Sequence, residues 1–170
     1  RLGGSGLHYS DLVIAAADGR STLFDLLGEE YVSDGVKDYY RRLSTVPSLV
    51  QVGLGVDGSY EELPQTVTGI TFAPDPPLAI GGGEQHWLTV QPYSFDPTLA
   101  PCGKTFFKVV MKGDYDYWRN LKSDGGRYLE EKERAAAEVI DRLDRRFPGF
   151  SGRVEMVDVA TPTTFQERTG

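Results

Sequence analysis

Ser48-Leu49-Val50-Gln51-Val52-Gly53-Leu54-Gly55-Val56 decides the fold. Leu49, Gln51 and Gly53 alternate with Val50, Val52, Leu54 and Val56, and the Val and Leu content favours a strand. Lys104 to Lys112 repeats the pattern, with Thr105, Phe107, Val109 and Met111 opposite Phe106, Lys108 and Val110. Thr66 to Phe72, Trp87 to Tyr93 and Arg153 to Val159 read as further strands. Asp11 to Asp18, an apolar run with β-branched Val13 and Ile14 closed by Asp18-Gly19, reads as a buried strand.

Helices intersperse these strands. Ser21-Thr22 before Leu23, Phe24, Leu26 and Leu27, with Gly28 behind, predicts a short capped helix. Asp34 is expected to cap a second over Gly35 to Leu43. One helical turn is expected at Gly58 to Leu63, and a short helix at Asp116 to Leu121. The longest helix follows Asp124-Gly125-Gly126, with Leu129, Ala136, Val139, Ile140, Leu143 and Phe147 as its apolar stripe. Glu130–Arg134, Glu138–Arg142 and Asp141–Arg145 are candidate exposed ion pairs along it. Pro148-Gly149 ends it. Ala73 to Pro77 must be irregular, because proline donates nothing to a ladder. The expected class is α+β: a mixed, mostly antiparallel sheet with helices packed on it, in one domain over residues 1–170.

Composition excludes several functions. The 170 residues carry a net charge of −7, which argues against a nucleic-acid surface. No apolar run approaches the ~20 residues of a membrane span, and Arg1 to Gly6 has no apolar signal core. The single cysteine, Cys102, leaves no internal disulfide and fits a reducing compartment. His8 and His86 have no Cys or carboxylate at zinc spacing, so no metal site is expected. Gly53-Leu54-Gly55-Val56-Asp57-Gly58 formally matches G-x-G-x-x-G, but Pro64 leaves no room for a phosphate-binding helix after it. It reads as a glycine-containing strand and turn. Gly81-Gly82-Gly83 reads as a hairpin loop.

Four stretches, in order, carry a resemblance: Asp11-Leu12-Val13-Ile14-Ala15-Ala16-Ala17-Asp18-Gly19, Val50-Gln51-Val52-Gly53-Leu54-Gly55-Val56, Asp96-Pro97-Thr98-Leu99-Ala100-Pro101-Cys102-Gly103-Lys104, and Ala160-Thr161-Pro162-Thr163-Thr164-Phe165. Tyr115-Asp116-Tyr117-Trp118 adds a "Y-x-x-W" helix start. Together they resemble the phytoene-desaturase-like branch of the FAD-dependent amine-oxidase superfamily, over nearly the whole chain. Glu167-Arg168 departs from the Arg-aromatic pair the family often has there.

The resemblance implies the substrate-binding domain of a two-domain FAD enzyme, similar to phytoene desaturases, carotenoid isomerases and retinol saturases. Such an enzyme passes hydride equivalents between an apolar substrate, polyenes included, and the flavin. Residues 11–18 and 160–170 would join the FAD domain, so the termini are expected close together. Ala16, Ala17, Asp18, Thr161, Thr164 and Gly170 would lie nearest the flavin. Val52, Leu54, Leu88, Val90, Phe107 and Val109 would wall an apolar substrate pocket. No residue announces itself as a catalytic acid or base. Alone, the chain should bind FAD poorly, remain inactive and dimerise through exposed apolar surface. A cytoplasmic protein able to touch a membrane peripherally is implied. The competing expectation is a non-catalytic module that binds a lipid or a protein.

Overall fold

The computed structural model describes residues 8–43, 47–61, 63, 66, 68–96 and 98–169. They fall into two compact units, Arg1–Val46 and Pro47–Gly170. Glu62, Pro64, Gln65, Val67, Pro97 and Gly170 lie outside the described residues, and with them parts of the expected turn before Pro64 and of the strand from Thr66.

In the second unit, β1 (Ser48–Asp57), β2 (Ile70–Phe72), β5 (Leu88–Pro92), β6 (Lys104–Gly113) and β7 (Val154–Ala160) form one sheet in the order β2-β5-β6-β1-β7. Every pairing in it is antiparallel. β1 and β6 pair without interruption from Ser48↔Gly113 to Asp57↔Lys104. This register puts Val50, Val52, Leu54 and Val56 on the same face as Thr105, Phe107, Val109 and Met111, because side chains alternate along a strand. Leu88, Val90 and Val159 join that face, and all these side chains are buried. The α+β class expected from the sequence is the one observed.

Two capped helices cover this face. α2 (Tyr115–Lys122) starts at Asp114, whose side chain accepts from Tyr117 N at 2.7 Å. α3 (Gly125–Arg146) starts at Asp124, which accepts from Arg127 N at 3.3 Å. Such caps satisfy amide donors that the first helical turn leaves unpaired. Ala135, Ala136, Val139 and Leu143 of α3 and Trp118 of α2 enter the core, with Phe107 and Phe150 edge-to-face at 5.2 Å. Leu129, expected in the stripe, is instead exposed. Arg134 pairs with Glu131 at 2.7 Å rather than with Glu130, because its guanidinium also donates to Ala79 O. Arg142 keeps Glu138 as a partner but is buried, not exposed.

The hairpin expected at Gly81-Gly82-Gly83 is present, and its two strands, β3 (Leu78–Ile80) and β4 (Gly83–Gln85), which no periodicity marks, bury Leu78 and Ile80 in the same core. Its turn lies at Gly81 and Gly82, both at positive φ, so the glycine-loop reading of that stretch holds. A side chain at Gly81 would come within 3.0 Å of the Trp118 indole nitrogen. Buried Gln85 donates to Ile80 O and Lys112 O and accepts from Lys112 N.

The first unit contains a π-helical segment, Ser21–Gly28, a 3-10 turn, Glu29–Tyr31, and α1 (Asp34–Arg42). Ser33, not Asp34, occupies the N-cap position of α1. The run Asp11 to Asp18 is not a strand and not buried: Leu12, Val13 and Ile14 are 75 to 85% exposed. Its apolar composition alone cannot make a strand, which requires a paired neighbour. Among the described residues, no helix is long and apolar enough to cross a membrane.

Leu54→Ala should cost about 2–5 kcal/mol in urea denaturation, the range for truncating a fully buried core leucine. A second measurement concerns pH. Burial alone would raise the Glu131 carboxyl, but Arg134, Tyr117 and the Gly81 backbone outweigh it and hold it below its ordinary 4.5. A lowered folded-state value stabilises the protein above the unfolded value and is lost as pH falls through the folded one. Glu131→Gln should therefore destabilise at pH 7, and the gap to wild type should narrow as pH drops below about 4.5.

Candidate functional site

The row of β1 that faces away from the helices carries two glycines. Gly53 and Gly55 pair with Lys108 and Phe106 of β6 and with Asp158 and Met156 of β7. No side chain from this row belongs to the hydrophobic core cluster. Without side chains at 53 and 55, neighbouring side chains close over the strand. A Cβ on Gly53 would sit 3.0 Å from the Phe106 ring, and one on Gly55 would sit 3.1 Å from Met156 Cβ. Phe106 continues into an aromatic row, with Tyr93 at 5.7 Å and Phe95 a further 5.4 Å from Tyr93. Lys108 Nζ lies 5.4 Å over the Tyr93 ring.

At one end of this face is a cavity of about 210 Å³. Gly55, Phe106 and Met156 line it from the sheet, and Leu99, Ala100 and Pro101 from the β5–β6 connection. The ion pair of Lys104 with Glu155 also borders it. Gly103 turns the connection at φ 76°, the positive φ its sequence allowed. The formal G-x-G-x-x-G stretch thus lies in a strand and its turn: Gly53 and Gly55 are mid-strand, and among the described residues no helix starts between β1 and β2.

The six residues expected to wall the pocket, Val52, Leu54, Leu88, Val90, Phe107 and Val109, are all 0% exposed beneath the helices. They build the core, and a ligand could reach them only by opening it. The expected strands are present, and these six side chains lie on their helix-covered face. Gly53, Gly55 and Phe106 occupy the other phase, and consecutive glycines at alternate positions were the available signal.

Thr161 and Thr164 do come together. α4 (Pro162–Thr169) begins at Thr161, with Pro162 in the first helical position, where a missing N–H costs nothing. Thr161 N donates to Thr164 Oγ1 at 3.2 Å, and Thr164 N to Thr161 Oγ1 at 3.4 Å, a reciprocal cap. Tyr128 of α3 completes the cluster, its hydroxyl 2.7 Å from Thr161 Oγ1 and 3.3 Å from those of Thr163 and Thr164. Burial alone would raise the Tyr128 phenol, yet these hydroxyls and Lys132 bring it below its ordinary value.

Ala16, Ala17 and Asp18 are exposed in the first unit. Asp18 starts the π-helical segment, accepting from Ser21 N at 2.7 Å. Gly170 lies outside the described residues. His8 and His86 are both exposed, and His86 Nε2 sits 3.5 Å from Glu84. Among the described residues, no three His, Cys, Asp or Glu side chains gather to hold a metal ion.

Comparison with known proteins leaves the family open. The chain matches no protein-family model, and no curated protein matches it significantly.

Thr161→Val keeps the shape while removing the hydroxyl shared by the cap and Tyr128. It should cost about 1–2 kcal/mol in chemical denaturation, and should move the Tyr128 titration, followed by ultraviolet absorbance, upward.

Proposed function

We propose that this chain is the substrate-side part of an FAD-dependent oxidoreductase acting on an apolar, elongated substrate such as a polyene. One observation carries the reading: the sheet face opposite α2 and α3 has two glycines beside Phe106 and Met156 and ends in a largely apolar cavity. A flat face lined by rings and backbone suits a flat, unbranched hydrocarbon, whose recognition rests on contact area rather than hydrogen bonds. The ordered series of four motif stretches supports the same reading. Three of them lie in one unit, at β1, at the β5–β6 connection that borders the cavity, and at the β7–α4 junction.

In this reading the flavin supplies the redox chemistry when bound. The residues here orient the substrate and keep water from it. Thr161, Thr164 and the Tyr128 hydroxyl would hold the β7–α4 junction rigid beside the cofactor. A compartment inside the cell, with peripheral membrane contact, belongs to the same proposal.

Two experiments test it. The product of the full-length gene should purify yellow, with flavin absorbance near that of bound FAD; a colourless product sinks the oxidoreductase reading and leaves the binding-module reading. Parinaric acid, a fluorescent polyene, should brighten on binding. Gly55→Leu and, from the β5–β6 connection, Leu99→Trp should each weaken that binding about tenfold or more by filling the space. Unchanged binding in both folded variants would remove the cavity from the proposal.

A further inference from the structure

The first unit holds a cleft of about 470 Å³, unrelated to the sheet face and larger than the cavity there. Arg20, Phe24, Glu29, Lys37, Tyr40 and Arg41 line it. Its floor is aromatic: Phe24 and Tyr40 meet edge-to-face at 5.5 Å, and the Arg20 guanidinium lies 5.7 Å over Phe24. Gly19 makes that floor possible. A Cβ there would stand 2.6 Å from the Tyr40 hydroxyl, so only glycine lets Tyr40 pack so closely.

The three cations of the cleft are poorly neutralised. Arg20 lies 4.0 Å from Asp25, Lys37 lies 3.9 Å from Glu29, and Arg41 lies 3.8 Å from Asp38. None of these contacts reaches hydrogen-bond length, and exposed pairs at such distances contribute little. The charge is local, since the chain as a whole is acidic. Glu29 is the one carboxylate among the lining residues, while Asp25 and Asp38 reach Arg20 and Arg41 from outside the lining, only at 3.8 to 4.0 Å. A phosphate monoester, close to dianionic near pH 7, would compete for cations held this loosely, and its oxygens suit guanidinium donors.

We infer that this cleft binds a phosphate monoester attached to a planar or apolar body. The phosphate sits among Arg20, Lys37 and Arg41, and the body lies on Phe24 and Tyr40. The volume falls within the usual range for small-molecule sites. This site stands independently of the oxidoreductase reading, and a flavin-free protein would leave it intact.

The test uses phenyl phosphate as the soluble probe and phosphatidylcholine vesicles with and without phosphatidic acid as the lipid probe. Calorimetric titration should show saturable binding of phenyl phosphate that weakens as salt rises. Lys37→Gln and Arg41→Gln should each weaken it about tenfold. Glu29→Gln should tighten it, because that carboxylate competes for Lys37. Arg146→Gln is the control: Arg146 lies over the Phe147 ring, outside the lining, and should leave affinity unchanged. Inorganic phosphate should bind more weakly than phenyl phosphate, and Phe24→Leu should shrink that difference. Binding only to vesicles containing phosphatidic acid, with the same response to the variants, would assign the phosphate to a lipid headgroup. No saturable binding to either probe overturns the inference, as does affinity indifferent to Lys37, Arg41 and Glu29 in variants whose circular dichroism matches wild type.

Discussion

The uninterrupted antiparallel register of β1 against β6 governs the second unit. Strand side chains alternate between faces, so sliding this pair by one residue would exchange the two rows entirely. Val50, Val52, Leu54 and Val56 would then face outward, and two glycines would face a core with nothing to fill it. The hydrophobic effect therefore fixes the register, and the register fixes which surface remains for a ligand. Core and candidate site are two readings of one alternation.

Much of that arrangement was legible. The strands of β1 and β6 announced themselves by period and β-branched content. Asp124 ahead of α3 and the Pro148-Gly149 stop after it follow from local chemistry that a sequence displays directly, whereas the cap Asp114 lies before the start expected for α2. What stayed hidden depends on partners distant in the chain. β3 and β4 have three residues each, too few for periodicity to register. Arg134 chose Glu131 over Glu130 because the Ala79 carbonyl, more than fifty residues away, was within reach. Asp11 to Asp18 had strand composition but no strand to pair with. For Val52, Leu54, Leu88, Val90, Phe107 and Val109 the limit is simpler: an apolar row marks a buried face, and whether helices or a ligand bury it is decided by the third dimension.

The two candidate sites differ in physical character. The sheet face offers rings and apolar area beside the glycines of β1, flanked by charges such as Lys108 and Asp158, and would select by shape and length. The cleft of the first unit offers charge over an aromatic floor, and would select by phosphate. Neither depends on the other for its geometry, since every residue of each lies within a single unit.

Gln85 has a consequence of its own. Burial of Leu78 and Ile80 draws the hairpin to the core, but apolar attraction has no direction and tolerates sliding. The Gln85 amide both donates to and accepts from the backbone of Lys112, as a neighbouring strand would. One side chain thus imitates a rung of the ladder and gives the hairpin an address on β6. Attachment and alignment of this element come from different forces, and the alignment rests on a few polar contacts: Gln85 with Lys112, Asp114 N with Gly81 O and Arg134 with Ala79 O.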